Sequence, residues 1–247
     1  MYYYIAEPAS NKKDQLAVNT LRAKLAPAGI AGEFVYRTPG QSASNLASKA
    51  IALGFNTIIA VGKEDLFNEV ASAMYDQPVA LGLVPIDESK SMEEIIGYST
   101  IADSIQVIKR RKLVLKDVGT INNEFCFIKE SLIKNSTNGD IYLHTSNFSA
   151  QINSKFLNLV LPTNSPPLDI PGVINFIIPN NIGSPLWMKS LFSVAKLNID
   201  TIIRSETAVV QSKNDCDIYI ADVKIASTPF TVNIVPQSLR LIVAKHE

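Results

Sequence analysis

The sequence predicts an α/β plus all-β protein, in which a Rossmann-like parallel α/β N-terminal domain is followed by an antiparallel β-sandwich domain. Two patterns carry that prediction. In the first half, short apolar runs alternate with segments of helical period, as strand–helix–strand units of a parallel sheet do. From about Asp117 onward, β-type runs are split by turns, with one helical stretch among them. The change of pattern divides the chain into residues 1–116, an α/β domain, and residues 117–247, the β-sandwich.

Taken in order, Tyr2–Ala6 is an aromatic and apolar run that suits a strand. Lys13–Leu25 has helical spacing and stops at Pro27-Ala28-Gly29. Gly32–Tyr36 is a second strand, Ser42–Gly54 a helix opened by a capping serine, and Thr57–Val61 a third strand. Leu66–Met74 is the helix after the next turn and Val79–Val84 a fourth strand. Such an order puts strand-to-helix turns at the carboxyl edge of a sheet, where these folds bind ligands. In the second half, Ile141–Leu143, Phe156–Leu161, Val173–Ile178, Ile202–Gln211, Ile218–Ile225 and Phe230–Val235 read as strands, and Asn135–Asp140 as a loop. Pro185–Leu197 reads as a helix whose Trp187, Met188, Leu191, Phe192 and Ala195 make an apolar face for the core.

Composition narrows the function. Lysine plus arginine number 23 and so do aspartate plus glutamate, so no overall basic field invites nucleic acid. Cys126 and Cys216 are too few for a disulfide framework, lack a histidine cluster for zinc, and read as small buried hydrophobes. His144 and His246 stand apart from any nucleophile-and-acid pattern. The opening Met1–Glu7 lacks the basic and long apolar parts of a signal peptide, and no apolar run is long enough to span a bilayer, so a cytoplasmic protein is expected. Lys109-Arg110-Arg111-Lys112 before Leu113-Val114-Leu115 is a candidate contact for an anionic membrane surface. It also reads as solvated charge leading into a buried strand.

The segment Val61-Gly62-Lys63-Glu64-Asp65-Leu66-Phe67-Asn68-Glu69-Val70 resembles the phosphate-binding turn of the diacylglycerol kinase catalytic-domain family, lipid kinases related to NAD kinases. That family reads Gly-Gly-Asp-Gly-Thr followed by Asn-Glu-Val. Here Gly62 and Asn68-Glu69-Val70 match, while Lys63, Glu64, Asp65 and Leu66 replace Gly, Asp, Gly and Thr. Glu7-Pro8-Ala9-Ser10-Asn11-Lys12-Lys13 resembles the family's Asn-Pro-x-Ser-Gly-x-Gly loop with Pro8 and Ser10 kept. Leu81-Gly82-Leu83-Val84-Pro85 resembles the strand before its Gly-Thr-Gly-Asn-Asp loop, which is replaced by Asp87-Glu88-Ser89-Lys90-Ser91. Asp117–Asn123, Pro171–Pro179 and Thr228–Val243 resemble segments of the family's second domain, in which the closing strand rejoins the first domain. Whether it does so here is left open by the sequence. Asp222-Val223-Lys224 stands where the family has Asp-Gly-Glu, the glutamate implicated as the base acting on the lipid hydroxyl.

The resemblance implies a nucleotide-binding region made by Ser10, Lys12, Gly62, Lys63, Glu64, Asp65 and Asp87, and a degenerate base position at Asp222 and Lys224. Glycines let backbone N–H groups approach phosphate closely, and two acids in their place oppose a polyphosphate. Glu64 and Asp65 equally suit the first turn of an ordinary helix. A lysine with its usual pKa near 10.4 stays charged at neutrality and cannot take a proton. The expected function is therefore a catalytically degenerate, lipid-kinase-like binding or scaffold protein, leaning against an enzyme and needing no cofactor. Its expected partners are a protein, further copies of itself, or an anionic membrane. The alternative is an active ATP- and Mg²⁺-dependent lipid kinase acting on a diacylglycerol-like hydroxyl, with Asp65, Glu64, Glu69 or Asp87 around magnesium and Lys12 or Lys63 on phosphate.

Overall fold

The structure, a computed structural model, describes residues 1–86, 92–136, 139–163, 167–179 and 199–244. Asp87, the expected helix Pro185–Leu197 and His246 lie outside the described residues. The chain divides into two compact units, Met1–Lys116 with Gln237–Glu247, and Asp117–Pro236.

The first unit runs β1 (Tyr2–Ala6), α1 (Lys12–Leu25), β2 (Gly32–Tyr36), α2 (Ala43–Ala52), β3 (Thr57–Gly62), α3 (Glu64–Met74), β4 (Ala80–Pro85), α4 (Glu93–Ile96) and α5 (Ile101–Arg110). It takes in the start of β5 (Leu113–Ile121) and the end of β16 (Phe230–Ile242). Its strands pair in the order β2-β1-β3-β4-β16, parallel throughout. The central strands β3 and β4 are buried along their full length, as the continuous apolar runs of a covered parallel sheet require. Val18, Leu21 and Leu25 of α1 and Leu66, Val70 and Met74 of α3 recur at helical spacing and are buried.

Three features of this unit differ from the sequence expectation. Helix α3 starts at Glu64, two residues early, because Lys63 takes the extended conformation of an N-cap. Helices α4 and α5 were not anticipated. Leu113 and Leu115 do not enter a buried strand: they are 40% and 54% exposed, and β5 becomes buried only from Val118. Among the described residues no helix is long and apolar enough to cross a membrane.

The second unit is a β-sandwich. It contains the rest of β5, β6 (Phe125–Phe127), β7 (Glu130–Asn135), β8 (Asp140–Thr145), β9 (Ser149–Asn153), β10 (Phe156–Val160), β11 (Ile174–Pro179), β12 (Ile199–Ser205), β13 (Thr207–Ser212), β14 (Cys216–Ile220), β15 (Val223–Ser227) and the first part of β16. One sheet has the order β16-β13-β8-β9, with β5 beside β16 and β6 beside β5; the other has the order β12-β11-β10-β7-β14-β15. The pairings β16–β13, β13–β8, β8–β9 and β5–β6 of the first and the five of the second are antiparallel. Leu143, Val210 and Val232 of one sheet and Ile133, Leu157 and Phe176 of the other share one buried core, the layering of a sandwich.

Two expected strands divide. The run Ile202–Gln211 breaks at Glu206, where the chain leaves one sheet for the other: β12 pairs with β11, and β13 with β8 and β16. The run Ile218–Ile225 becomes the hairpin β14–β15, turned by Ala221 and Asp222 at φ +46° and +67°, the left-handed pair that a two-residue hairpin of matching twist needs. Cys126 and Cys216 are buried thiols that form no disulfide, and burial followed by the charge of Asp217 pushes the Cys216 thiol up to about 12.

Candidate functional site at the carboxyl edge of the first sheet

The carboxyl ends of β1, β2 and β3 are laced together. Glu7 N–H donates to Val61 O (3.1 Å), Arg37 N–H to Ala6 O (2.9 Å) and Ile86 N–H to Gly62 O (3.2 Å), carrying the ladder one residue past each strand. Glu7, Arg37 and Lys63 therefore stand side by side at the sheet edge, each leading into the turn before a helix. This is the place where an open α/β sheet presents helix N-termini to an anion.

What fills that place is the chain's own acid. The Glu7 side chain lies against Gly62: a Cβ on Gly62 would stand 2.9 Å from Glu7 Cδ and 2.7 Å from Leu66 Cδ2. The missing side chain at Gly62 thus admits the Glu7 carboxyl. Burial first, then the charge of Asp65 and a hydrogen bond to it, push the Glu7 carboxyl up to about 7; Arg37 and Lys63 pull the other way. The Glu7 carboxyl therefore keeps its proton at mildly acid pH.

Arg37 and Glu69 complete the cluster. Arg37 Nη1 donates to Glu69 Oε2 at 2.6 Å, and Arg37 Nη2 lies 4.0 Å from Asp65 Oδ2. The second oxygen of Glu69 accepts the N–H of Ala43, the first residue of α2, at 2.8 Å. A carboxylate from α3 therefore sits on the N-terminus of α2, where the partial positive charge of the helix favours an anion. Neither Arg37 nor Glu7 was singled out as a site residue from sequence, because the contacts join three distant segments. An arginine one residue past a strand, at the edge where ligands bind, was the available signal.

The remaining nominated residues are placed as follows. Ser10 Oγ donates to Asp14 Oδ2 at 2.5 Å, and Asn11 caps α1 by accepting the Asp14 N–H at 2.9 Å. The Ser10 hydrogen bond leads the contacts that hold the Asp14 carboxyl below its usual range. Ser10 is thus hydrogen-bonded to the acid in the first turn of α1. Lys12 and Lys63 are exposed, and Glu64 and Asp65 occupy the first turn of α3. Asn11→Ala should cost about 1 kcal/mol by removing the cap of α1, read as a lower urea midpoint.

Asp222, in the second unit, is a turn residue of the β14–β15 hairpin. Lys224 Nζ pairs with Asp217 Oδ1 at 2.9 Å, and this hydrogen bond raises the lysine above its usual range, so Lys224 is held charged. Lys109 and Arg110 close α5. Arg111 is its left-handed cap at φ +50° and donates to Thr57 Oγ1 and Asn56 O, both at 3.3 Å, so its guanidinium is turned to the start of β3. Lys112 leads into β5.

Among the described residues no group of three or more His, Cys, Asp or Glu is disposed to hold a metal ion. Of the acids nominated for magnesium, Glu69 has its two oxygens on Arg37 and Ala43, and Asp65 lies beside Glu7 and Arg37.

No family model matches the chain. No curated protein matches it. Solved structures do. A diacylglycerol kinase from Bacillus anthracis superposes with a TM-score of 0.75 at 14% identity, over 98% of this chain and 96% of that one. Yeast NADH kinase, solved with NADH, superposes with a TM-score of 0.62 at 8% identity, over 100% of this chain and 84% of that one. At these identities the likeness is one of fold: the chain has the architecture shared by diacylglycerol kinases and NADH kinase.

Proposed function

We propose that this chain is a non-enzymatic binding or scaffold protein built on the lipid-kinase fold, with its phosphate-binding turn closed by its own carboxylates. The observation that carries the reading is the Glu7 side chain seated against Gly62 and bonded to Asp65. A nucleotide phosphate brought to this turn meets two carboxyls instead of free backbone N–H groups. The helix end of α2 is already supplied with an anion by Glu69. Lys224, paired with Asp217, offers no base. Partners engage other surfaces: a protein, a second copy of the chain, or an anionic membrane at Arg110 and Lys112.

The test is thermal unfolding with and without ATP–Mg²⁺. A ligand that binds only the folded state stabilises it by about 2.7 kcal/mol at one hundred times its Kd. No rise of the midpoint at millimolar nucleotide is expected, and no phosphate transfer to diacylglycerol. A magnesium-dependent rise in the unaltered protein would overturn the proposal in favour of an active ATP-dependent lipid kinase. The double substitution Glu7→Gln with Asp65→Asn removes the acid pair and should gain a midpoint rise in inorganic phosphate that the unaltered protein lacks. If both proteins respond alike, the acid pair is not what closes the turn.

A further inference from the structure

Away from the carboxyl-edge cluster, the first unit holds a cavity of about 640 Å³, within the size range of small-molecule sites. One wall is a single face of α5. Asp103, Gln106, Val107 and Arg110 follow the i, i+3, i+4, i+7 spacing that aligns side chains along a helix. Lys112, at the start of the segment after α5, and Val243, just past β16, also line it.

The walls are fixed by main-chain bonds. Val243 N–H donates to Lys112 O at 3.0 Å and Ala244 N–H to Ile96 O at 2.8 Å. The left-handed cap at Arg111, anchored to Asn56 and Thr57, turns the chain so that Arg110 and Lys112 both line the cavity.

The charges in it are unequally spent. Asp103 accepts the Thr100 hydroxyl at 2.6 Å and lies seven residues, about 10.5 Å along the axis, from Arg110. Arg110 and Lys112 have no acidic partner among the described residues. Favourable interaction with the end of a helix accounts for a base in its last turn, such as Lys109 or Arg110. It does not account for Lys112, which lies beyond the helix and faces the same space.

We propose that this cavity is a binding site for a phosphate-bearing ligand. Arg110 and Lys112 hold the phosphate, Gln106 donates from the amide, and Val107 and Val243 supply an apolar wall. Arg110 offers the planar fork that matches phosphate oxygens, and Lys112 adds a compact point charge. The site is separate from the acid cluster and stands whether or not the phosphate turn is closed. The phosphate comes from a free metabolite or from a lipid headgroup; the exposed Leu113 and Leu115, directly after Lys112, are where a lipid surface would meet it.

The experiment is titration of the full chain with inorganic phosphate and with glycerol 3-phosphate, read by calorimetry, and co-sedimentation with phosphatidylglycerol and phosphatidylcholine vesicles. It compares Arg110→Gln with Lys112→Gln in one chain against Lys109→Gln, which removes a charge from the same run without touching the cavity. All three side chains are exposed, so both variants should fold, as circular dichroism will verify. Saturable binding of glycerol 3-phosphate, weakened at least tenfold in the double variant and unchanged in Lys109→Gln, is the expected result and identifies a free ligand. Phosphatidylglycerol-selective sedimentation, lost in the double variant and competed by glycerol 3-phosphate, supports the same site with a lipid as the source. The proposal is overturned if none of the probes binds, if the double variant binds as the unaltered protein does, or if Lys109→Gln weakens binding equally.

Discussion

Glu69→Ala should lower the stability of the first unit by about 3 kcal/mol, the sum of two broken charge-assisted contacts discounted for partial exposure. The carboxylate serves two donors from different elements. It pairs with Arg37 at 2.6 Å, with both side chains about one-third exposed, and it accepts the N–H of Ala43, a residue that is fully buried. Truncation leaves that amide without an acceptor and turns Arg37 to Asp65 alone. Glu69→Gln keeps an oxygen for Ala43 and should cost about 1 kcal/mol, the ordinary net worth of a neutral hydrogen bond. Urea unfolding ranks the two variants, and amide exchange at Ala43 locates the loss. Equal effects of the two substitutions would show that charge at this position contributes nothing.

Glu7→Gln should stabilise the protein at pH 8 by about 1–2 kcal/mol and leave it nearly unchanged at pH 5. The ordinary carboxyl value is 4.5, and the folded environment raises it to about 7. Below pH 4.5 the group is protonated in both states. Between 4.5 and 7 the unfolded chain ionises while the folded chain keeps its proton, so the unfolded state binds fewer protons and stability falls as pH rises. Above 7 both are ionised, and the full cost of a half-buried carboxylate beside Asp65 is present. The whole displacement, at 1.36 kcal/mol per decade, would give a larger figure; solvent screening of a partly exposed group reduces it to the range stated. Glutamine imitates the protonated form and still donates to Asp65. Melting temperatures of the two proteins from pH 5 to 8 should converge at the acid end and separate by about 2–8 °C at the alkaline end. Parallel curves would mean that Glu7 does not titrate in this window.

Much of the fold is legible in the sequence because its elements are local. Tyr2–Ala6, Thr57–Val61 and the apolar spacing of Val18, Leu21 and Leu25 each announce their period within one segment, and β1, β3 and α1 follow. Helix α5 carries the same kind of signal in Ile101, Ile105 and Ile108, spaced i, i+4, i+7, but only over two turns before the run Lys109-Arg110-Arg111-Lys112 breaks the period. Glu206 is harder to find. Ile202 and Ile203 before it and Thr207 and Val209 after it are β-formers, no glycine or proline marks the break, and only the pairing partners reveal that the chain changes sheets there. The site was legible as a location but not as an arrangement. Gly62, Glu64 and Asp65 marked the turn, whereas Arg37 and Glu7 become meaningful only when three strands bring residues 7, 37 and 65–69 to one edge.

Strand β16 decides the order in which this protein can be assembled. Its first part pairs with β13 in the second unit, and after the left-handed Gln237 its Arg240 and Leu241 lie beside Ala80 and Leu81 of β4. During synthesis from the amino end, β4 emerges long before that neighbour and waits through more than a hundred intervening residues with one backbone edge unpaired. An apolar strand with an open edge is a template for pairing with another chain. The sheet of the first unit therefore cannot be completed until the sandwich has been synthesised. A nonsense truncation anywhere in the sandwich would strand the finished-looking amino-terminal portion in that sticky state, so damage to one half of the gene product is transmitted to the other without any change in the other's own residues.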